Sequence, residues 1–339
     1  MLNELEVAKV KERWGTAEGV WRDSKCIHWT EHPKVRERIN LIISGNPGKD
    51  CYQYFIERYF RGRLGRRRKA KRALTLGCGH GELERGLCKY SFARLHEGVD
   101  IADGAVAQAN TLARAGGLDH LRYEVADLNT IKLPKCTYDV VFGVSSIHHV
   151  ADLEHLFLQV ALSLKPGGYF FLDEYIGPNR LQWTDEQVAI ANELLAPLPL
   201  DFKRAISDPR IIKGMVKPAT IEEVNAADPS EAIRSADILK LLPMYFDILE
   251  MKGYGGTLLQ PLLNDIAGHF AQDDPRSMEY LRLFFDREDQ LIASGRLQHD
   301  FAIIIARRKP TRVETLLGPK AAYVVSKARA MLSDAVPNK

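Results

Sequence analysis

Residues 74–81 read Leu-Thr-Leu-Gly-Cys-Gly-His-Gly, and an acid, Asp100, follows Gly81 nineteen residues later. Apolar residues followed by closely spaced glycines predict a strand, a tight turn and the start of a helix. Glycine lets the backbone approach a ligand where a Cβ would collide, and a helix start offers unpaired N–H groups and a positive dipole end. A carboxylate at the end of the next strand can accept two ribose hydroxyls. The stretch therefore predicts a nucleoside-containing cofactor at the carboxyl edge of a parallel sheet.

Four further segments continue this alternation along the chain. They end or form strands at 98–101, 123–128, 138–144 and 164–172. Their order and spacing resemble those of the class I S-adenosylmethionine-dependent methyltransferases, closely over residues 70–176 and more loosely over 238–308. The glycine spacing agrees, because a dinucleotide turn is usually Gly-x-Gly-x-x-Gly and here the third glycine comes one residue early.

The resemblance implies S-adenosyl-L-methionine as cofactor and assigns its contacts. Asp100 is expected to bind the ribose and Asp127 the adenine amino group. The full set of expected contacts is Gly77, Cys78, Gly79, Gly81, Asp100, Ile101, Asp127, Leu128 and Val144. The chain departs from the family at Thr75, where an acid usually helps to hold the methionine end of the cofactor. Thr75 can form hydrogen bonds but carries no charge.

The alternation of strands and helices predicts an α/β fold with a doubly wound, seven-stranded, mostly parallel sheet. This Rossmann-like methyltransferase fold is expected to carry N-terminal helices and a helical lid insertion. Strands six and seven, near 245–250 and 300–306, are expected to form an antiparallel edge. The predicted regions are an N-terminal helical region (1–69), the S-adenosylmethionine-binding core (70–176), a helical lid or acceptor insertion (177–237), the completion of the core sheet (238–310) and a C-terminal helical tail (311–339).

A loop with two histidines is the first candidate for catalysis. An oxygen or protonated nitrogen acceptor must lose a proton, and histidine suits that task near neutral pH. Residues 144–150 read Val-Ser-Ser-Ile-His-His-Val, in a loop that lies against the cofactor in this family. His149 is similar to the histidine of a Ser-Ser-Ile-Gly-His-Leu stretch in amino-sugar N-methyltransferases, and His148 stands at that motif's glycine. Either is a candidate base; the alternative is that the second histidine only packs under the next helix.

Glu174 is the second catalytic candidate, at the carboxyl end of the fifth strand. Ligands of open α/β sheets bind at that edge, so an acid there could bind the acceptor. The alternative is a carboxylate that is solvated or paired with Arg180. The proline-broken segment 177–237 follows directly, and a lid at this place would cover the methyl group and shape the acceptor pocket.

Composition sets broad limits on the function. The chain has 339 residues, 45% hydrophobic and 27% charged, with a net charge of +3 that is too small to argue for nucleic acid. Five cysteines without regular spacing argue against a disulfide framework, and no zinc-ligand spacing appears, so we expect no metal. No run approaches 18 apolar residues and no apolar leader is present. We expect a cytoplasmic protein without a membrane span, whose C-terminal tail could dock on its own body or in a homo-oligomer.

The predicted function is methyl transfer to an oxygen or nitrogen of a small molecule. The stretches Trp-x-x-His-Pro-x-Val at 29–35 and Glu-Tyr-Ile-Gly-Pro-Asn-Arg at 174–180 are similar to methyltransferases of bacterial carbohydrate and secondary-metabolite pathways. A sugar or another natural product is therefore the expected acceptor.

Two alternatives from other classes stay open. An RNA methyltransferase could use the run 58–72, in which nine of fifteen residues are basic. That run precedes the first strand, opposite the cofactor edge, and no RNA-binding module accompanies it, so a solvated linker is the simpler interpretation. A catalytically silent interaction module is favoured by Thr75, whereas the intact glycine turn and Asp100 argue against it.

Overall fold

A computed structural model describes residues 2–15, 26, 28–60 and 68–310. The strands are β1 (Ala70–Leu76), β2 (Ala93–Asp100), β3 (Leu121–Val125), β4 (Tyr138–Val144), β5 (Leu164–Tyr175), β6 (Phe246–Gly255) and β7 (Phe301–Arg308). The α-helices are α1 (Glu4–Gly15), α2 (Pro33–Ser44), α3 (Cys51–Tyr59), α4 (Glu82–Leu87), α5 (Asp103–Ala115), α6 (Leu153–Ser163), α7 (Asp185–Leu195), α8 (Leu200–Lys203), α9 (Ile221–Ala227), α10 (Ile238–Tyr245), α11 (Leu259–Leu263) and α12 (Pro275–Ala293).

The described strands form one seven-stranded sheet in the order β3-β2-β1-β4-β5-β7-β6. Strands β1 to β5 pair in parallel, and β7 is antiparallel to both β5 and β6. The chain order reverses between β1 and β4, so their carboxyl ends flank the crevice at which open α/β sheets bind ligands. The predicted doubly wound, mostly parallel sheet with an antiparallel edge is confirmed.

Apolar packing covers both faces of the sheet centre. Phe142 and Phe171 pack on one side with Phe55 of α3. Val141 and Phe170 face the other side, in the cluster that contains Phe157 of α6. Strands buried on both faces read as continuous apolar runs rather than as alternating patterns, which explains the Val-Val-Phe core of β4.

Two strands end at residues other than the predicted ones. β3 ends at Val125, not at 128, because the Asp127 carboxylate accepts the Asn129 N–H at 2.8 Å and turns the chain out of the sheet. β6 runs on to Gly255 instead of stopping at 250, because its pairing with β7 continues there. It lies at the sheet edge, and much of it is exposed.

Helices of the insertion and of the N-terminal region lie outside the central sheet. Helices α7, α8 and α9 lie within 177–237, joined by long irregular stretches. Helix α1 docks on the start of α5 so closely that a Cβ at Gly104 would lie 2.7 Å from the Gly15 carbonyl oxygen. The predicted tail 311–339 lies outside the described residues. None of the described helices is both long and apolar enough to cross a bilayer.

The basic run is only partly described, because residues 61–67 fall outside. The arginines on either side of the gap form ion pairs with acids of the chain itself, in the pairs Arg58 with Glu250, Arg68 with Asp139 and Arg72 with Glu97. Arg72 makes the shortest of these contacts, at 2.6 Å.

Candidate functional site

The glycine turn follows β1, and its three positions require glycine for different physical reasons. All three have positive φ, the region that favours glycine. A Cβ at Gly77 would lie 2.4 Å from the Ser146 Cβ, and one at Gly81 would lie 2.5 Å from the Tyr123 hydroxyl oxygen. A Cβ at Gly79 would meet no atom of the described residues within 4 Å. The turn is therefore held by packing at both ends and borders open space at Gly79, which fits a ligand cradle.

Asp100 ties the second strand to this turn. One carboxylate oxygen accepts the Gly79 N–H at 2.8 Å and the other accepts the Ala102 N–H at 2.9 Å. The residue is half-buried, and each carboxylate oxygen can accept a second hydrogen bond. This geometry suits two neighbouring hydroxyls such as those of a ribose.

The remaining predicted cofactor residues surround the same edge. Ile101, Asp127 and Val144 are half-buried, while Cys78 and Leu128 are each 8% exposed. Cys78 also donates its backbone N–H to the Val99 carbonyl at 3.0 Å. The residues predicted to hold S-adenosylmethionine therefore lie at or just after the carboxyl ends of β1 to β4, and their contact with that cofactor stays a prediction.

Glu174 lies at the end of β5 and is completely buried. One carboxylate oxygen accepts the backbone N–H groups of Ser146 and Ile147, both at 2.7 Å, and the other lies 2.7 Å from His148 Nδ1. The carboxylate is neither solvated nor paired with Arg180, whose guanidinium donates to backbone carbonyls at Pro229 and Glu231. Glu174 thus positions the histidine loop rather than facing an open pocket.

The contact with Glu174 gives His148 a defined proton arrangement. Burial alone would lower the pKa of His148, but the Glu174 carboxylate raises it overall. A carboxylate at Nδ1 keeps the proton on that nitrogen and leaves Nε2 as the acceptor in the neutral ring. Nε2 lies 3.7 Å from a carboxylate oxygen of Glu231.

His149 has different surroundings. Its Nδ1 lies 3.0 Å from the Ser230 hydroxyl, and the Trp14 ring packs edge-on against it at a centroid distance of 5.3 Å. Burial and the neighbouring His148 lower the pKa of His149. The pKa values of the two adjacent histidines are therefore shifted in opposite directions.

The sequence analysis did not identify a loop of the insertion, residues 228–231, that covers the two histidines. Asp228 is 2% exposed; its carboxylate accepts the Ser230 hydroxyl at 2.6 Å and the Trp14 indole N–H at 2.9 Å. The Asp-Pro-Ser-Glu turn at 228–231 was the available signal, with two acids beside a proline. Nothing in the sequence places Trp14 of α1 over it.

The histidine loop touches the cofactor crevice directly. The Ser146 hydroxyl donates to the Leu76 carbonyl at 2.7 Å, and its Cβ occupies the space that a side chain at Gly77 would need. His148 is two residues further along. The candidate base is thus anchored to the glycine turn by Ser146 and to β5 by Glu174.

The same side chains could also hold a metal ion. His148, His149 and Glu231 each offer one ligand atom, and these atoms lie within 4.8 Å of one another. Two imidazoles and a carboxylate suit zinc and other divalent transition metals. The expected absence of a metal stays a prediction that chelation can test.

Comparison with known proteins relates this chain to methyltransferases. A family model described as a methyltransferase domain matches residues 74–170. A 27-O-demethylrifamycin SV methyltransferase from Amycolatopsis mediterranei is 26% identical over 53% of this chain and 70% of its own length. A sterol 24-C-methyltransferase from Aspergillus fumigatus is 30% identical over 38% of this chain and 34% of its own length. The chain thus spans most of the first relative and about a third of the second.

A solved structure of an S-adenosylmethionine-dependent methyltransferase from Mesorhizobium loti aligns over 71% of this chain and 91% of that chain, with 19% identity and a TM-score of 0.41. From the domain match and the named relatives, the chain contains a class I S-adenosylmethionine-dependent methyltransferase core. Its cofactor is S-adenosylmethionine.

Proposed function

We propose that the chain transfers a methyl group to an oxygen or nitrogen of a small molecule, with a hydroxyl of a sugar or other natural product as the first choice. The observation that carries the proposal is the His148–Glu174 pair, held beside the glycine turn. A buried carboxylate that orients an imidazole is an arrangement suited to proton removal.

Each residue has a separate task in this scheme. S-adenosylmethionine supplies an electrophilic methyl group when bound. Nε2 of His148 accepts the proton that the acceptor hydroxyl loses, and S-adenosylhomocysteine would leave as the methyl group passes from its sulfur to the oxygen. Glu174 keeps the ring in one orientation and stabilises the imidazolium that results, through the 2.7 Å contact at Nδ1. Glu231, near Nε2, is placed to accept a second hydrogen bond from a polyhydroxylated acceptor.

The relatives support an oxygen acceptor in part. The Amycolatopsis mediterranei protein is named for O-methylation of a rifamycin, whereas the Aspergillus fumigatus protein is named for methylation of a sterol carbon. O-methylation needs a base at its start, because a hydroxyl is a weak nucleophile until its proton leaves. The His148–Glu174 pair therefore favours the first type for this chain.

The test is a methyl-transfer assay with S-adenosylmethionine labelled in its methyl group. Acceptors should include amino sugars, hydroxylated polyketides, fatty acids and sterols, each with the wild type and with His148→Ala. We expect label on an oxygen or nitrogen, and a loss of about 10²–10⁴ in turnover in the variant. Label on carbon, or equal turnover in the two proteins, would reject the proposal.

A further inference from the structure

A cavity of about 500 Å³ lies between the stretch 205–215 of the helical insertion and residues 264–266, which follow α11. Pockets that hold small molecules have volumes in this range and are lined mainly by apolar side chains with a few polar groups. No catalytic or cofactor candidate is among its described lining residues. We call it the insertion pocket. Five apolar residues contribute to its wall: Ala205, Ile211, Ile212, Met215 and Ile266.

Backbone hydrogen bonds hold the two sides of the insertion pocket together. Arg204 and Ile212 form an antiparallel bridge, which closes the stretch 204–212 into a loop. The Ile206 N–H then donates to the Asp265 carbonyl at 2.8 Å, which ties this loop to the opposite wall. The walls are thus fixed before a ligand arrives, and binding to a preorganised site needs less ordering of the chain.

Two apolar side chains of the insertion pocket are largely exposed. Ile211 is 56% exposed and Met215 is 63% exposed. A single exposed apolar side chain is ordinary in a folded protein, but these two border the same cavity. A hydrocarbon group that covered them would remove apolar surface from water, which favours binding. The apolar wall therefore predicts a ligand with a hydrocarbon part.

Lys213 provides the positive charge of the insertion pocket. Its side chain is half-buried, and its ammonium donates to the Asn264 carbonyl at 2.6 Å. An ammonium carries three N–H donors, and among the residues that the structure describes Lys213 forms no ion pair. Burial lowers the pKa of Lys213 to about 8, and the charge of Asp265 offsets this only in part. Two donors of an enclosed cation thus remain for a ligand.

Asp265 lines the same pocket, but its carboxylate is held by another residue. One oxygen accepts the Ser207 N–H at 2.8 Å, and the other accepts the Ser207 hydroxyl at 2.6 Å. These hydrogen bonds stabilise its charge without Lys213. An acid so close to the pocket disfavours a ligand with two negative charges, such as a phosphate ester. A single carboxylate is the better match for the one ammonium.

We propose that the insertion pocket binds an anionic amphiphile, whose carboxylate accepts hydrogen bonds from Lys213 and whose hydrocarbon chain packs against Ile211 and Met215. A carboxylate is a strong acceptor for an ammonium, particularly where water is partly excluded. Such a site needs neither the bound cofactor nor His148, so it is independent of the proposed function.

The test measures the binding of octanoate and octanol to the full chain by calorimetry. The two probes share a hydrocarbon chain, and only octanoate is charged at neutral pH. We expect octanoate to bind more tightly than octanol. Lys213→Met removes the charge and keeps an unbranched side chain, so it should weaken octanoate binding about tenfold or more and change octanol binding less than about twofold. Lys217→Met, at an exposed lysine of the same insertion, should bind both probes like the wild type.

A second measurement locates octanoate in the wild type and needs no folded variant. Lysine acetylation by acetic anhydride is followed by peptide mass spectrometry. Octanoate at about ten times its dissociation constant should slow acetylation of Lys213 about tenfold, because occupied sites are shielded, and should leave Lys217 unaffected. No octanoate binding, equal affinity for the two probes, an equal loss for both in Lys213→Met, or acetylation of Lys213 that octanoate does not slow would overturn the proposal.

Discussion

At the scale of single residues, His148 and His149 differ in their contacts, and their sequence context does not reveal this difference. Each was a candidate base, yet only His148 contacts the buried Glu174, which raises its pKa. We predict that His148→Ala lowers turnover by about 10²–10⁴, while affinity for S-adenosylhomocysteine changes little. His149→Ala is the matched control and should lose less. Steady-state kinetics and calorimetry measure both.

The pH dependence of turnover follows from the same contact. The neutral imidazole is the active form, so turnover should rise with pH through the raised pKa of His148. In Glu174→Gln the raising charge is gone and burial lowers the pKa, so the rising limb should move to lower pH. A limb that stays in place in this variant would show that another group titrates.

The metal-ligand arrangement makes a separate prediction. If His148 acts as a proton acceptor, chelation with EDTA should leave turnover unchanged. Added Zn²⁺ should inhibit and chelator should restore activity, because the three donor atoms lie within 4.8 Å and zinc would occupy Nε2. Activity that is lost on chelation and recovered with a divalent metal would instead assign His148, His149 and Glu231 to a metal centre.

Glu84, a buried acid in the first turn of α4, leads to a prediction about stability. Burial raises its pKa in the folded state from an ordinary 4.5 to about 7, so the ionised group costs stability that grows as pH rises between those values. Without cofactor, Glu84→Gln should therefore be more stable than the wild type by about 3 kcal/mol above pH 7, and by less than about 1 kcal/mol at pH 5. Urea unfolding at the two pH values measures this; equal stability at both would mean that the charge is already compensated.

At the scale of elements, the glycine turn shows which glycines serve the fold and which serve the ligand. We predict that Gly79→Val folds but no longer binds S-adenosylhomocysteine, because the space beside Gly79 is open. Gly77→Ala should instead destabilise the protein, since its Cβ would overlap Ser146. Thermal unfolding and calorimetry separate the two effects. Normal binding by a folded Gly79→Val protein would mean that the turn does not approach the cofactor.

At the scale of the whole molecule, the sheet was predictable because its strands carry strong local signals. Local patterns predict each strand and its place in the chain: the glycine turn, Asp100 and the apolar runs. The parallel topology then brings the carboxyl ends of these strands together. The contacts that complete the site were not predictable. Trp14, the histidine loop and Asp228 are far apart in sequence, and no local pattern records that they meet.

The contact between Trp14 and Asp228 leads to a prediction about how α1 is docked on the rest of the protein. An isolated helix of twelve residues is marginal in water, so docking must stabilise α1, and Val10 is its one buried residue among those described. Trp14 donates to the buried Asp228 carboxylate at 2.9 Å, a charged hydrogen bond of about 1.5–3 kcal/mol. Asp228→Asn should therefore speed amide hydrogen exchange in residues 4–15 about tenfold or more, without affecting β1.

Asp208→Asn is the control, at a half-buried acid of the same insertion whose partner is Arg210, two residues further along. It should leave exchange in α1 unchanged. The pKa of Asp228 is lowered: burial opposes this, but His149, Ser230 and Trp14 outweigh it. A depressed folded-state pKa means that the stabilisation is present above the ordinary pKa and is lost as pH falls through the folded value. Exchange in α1 should therefore accelerate on acidification in the wild type and respond less in Asp228→Asn; identical pH profiles in the two proteins would show that α1 is held by other contacts.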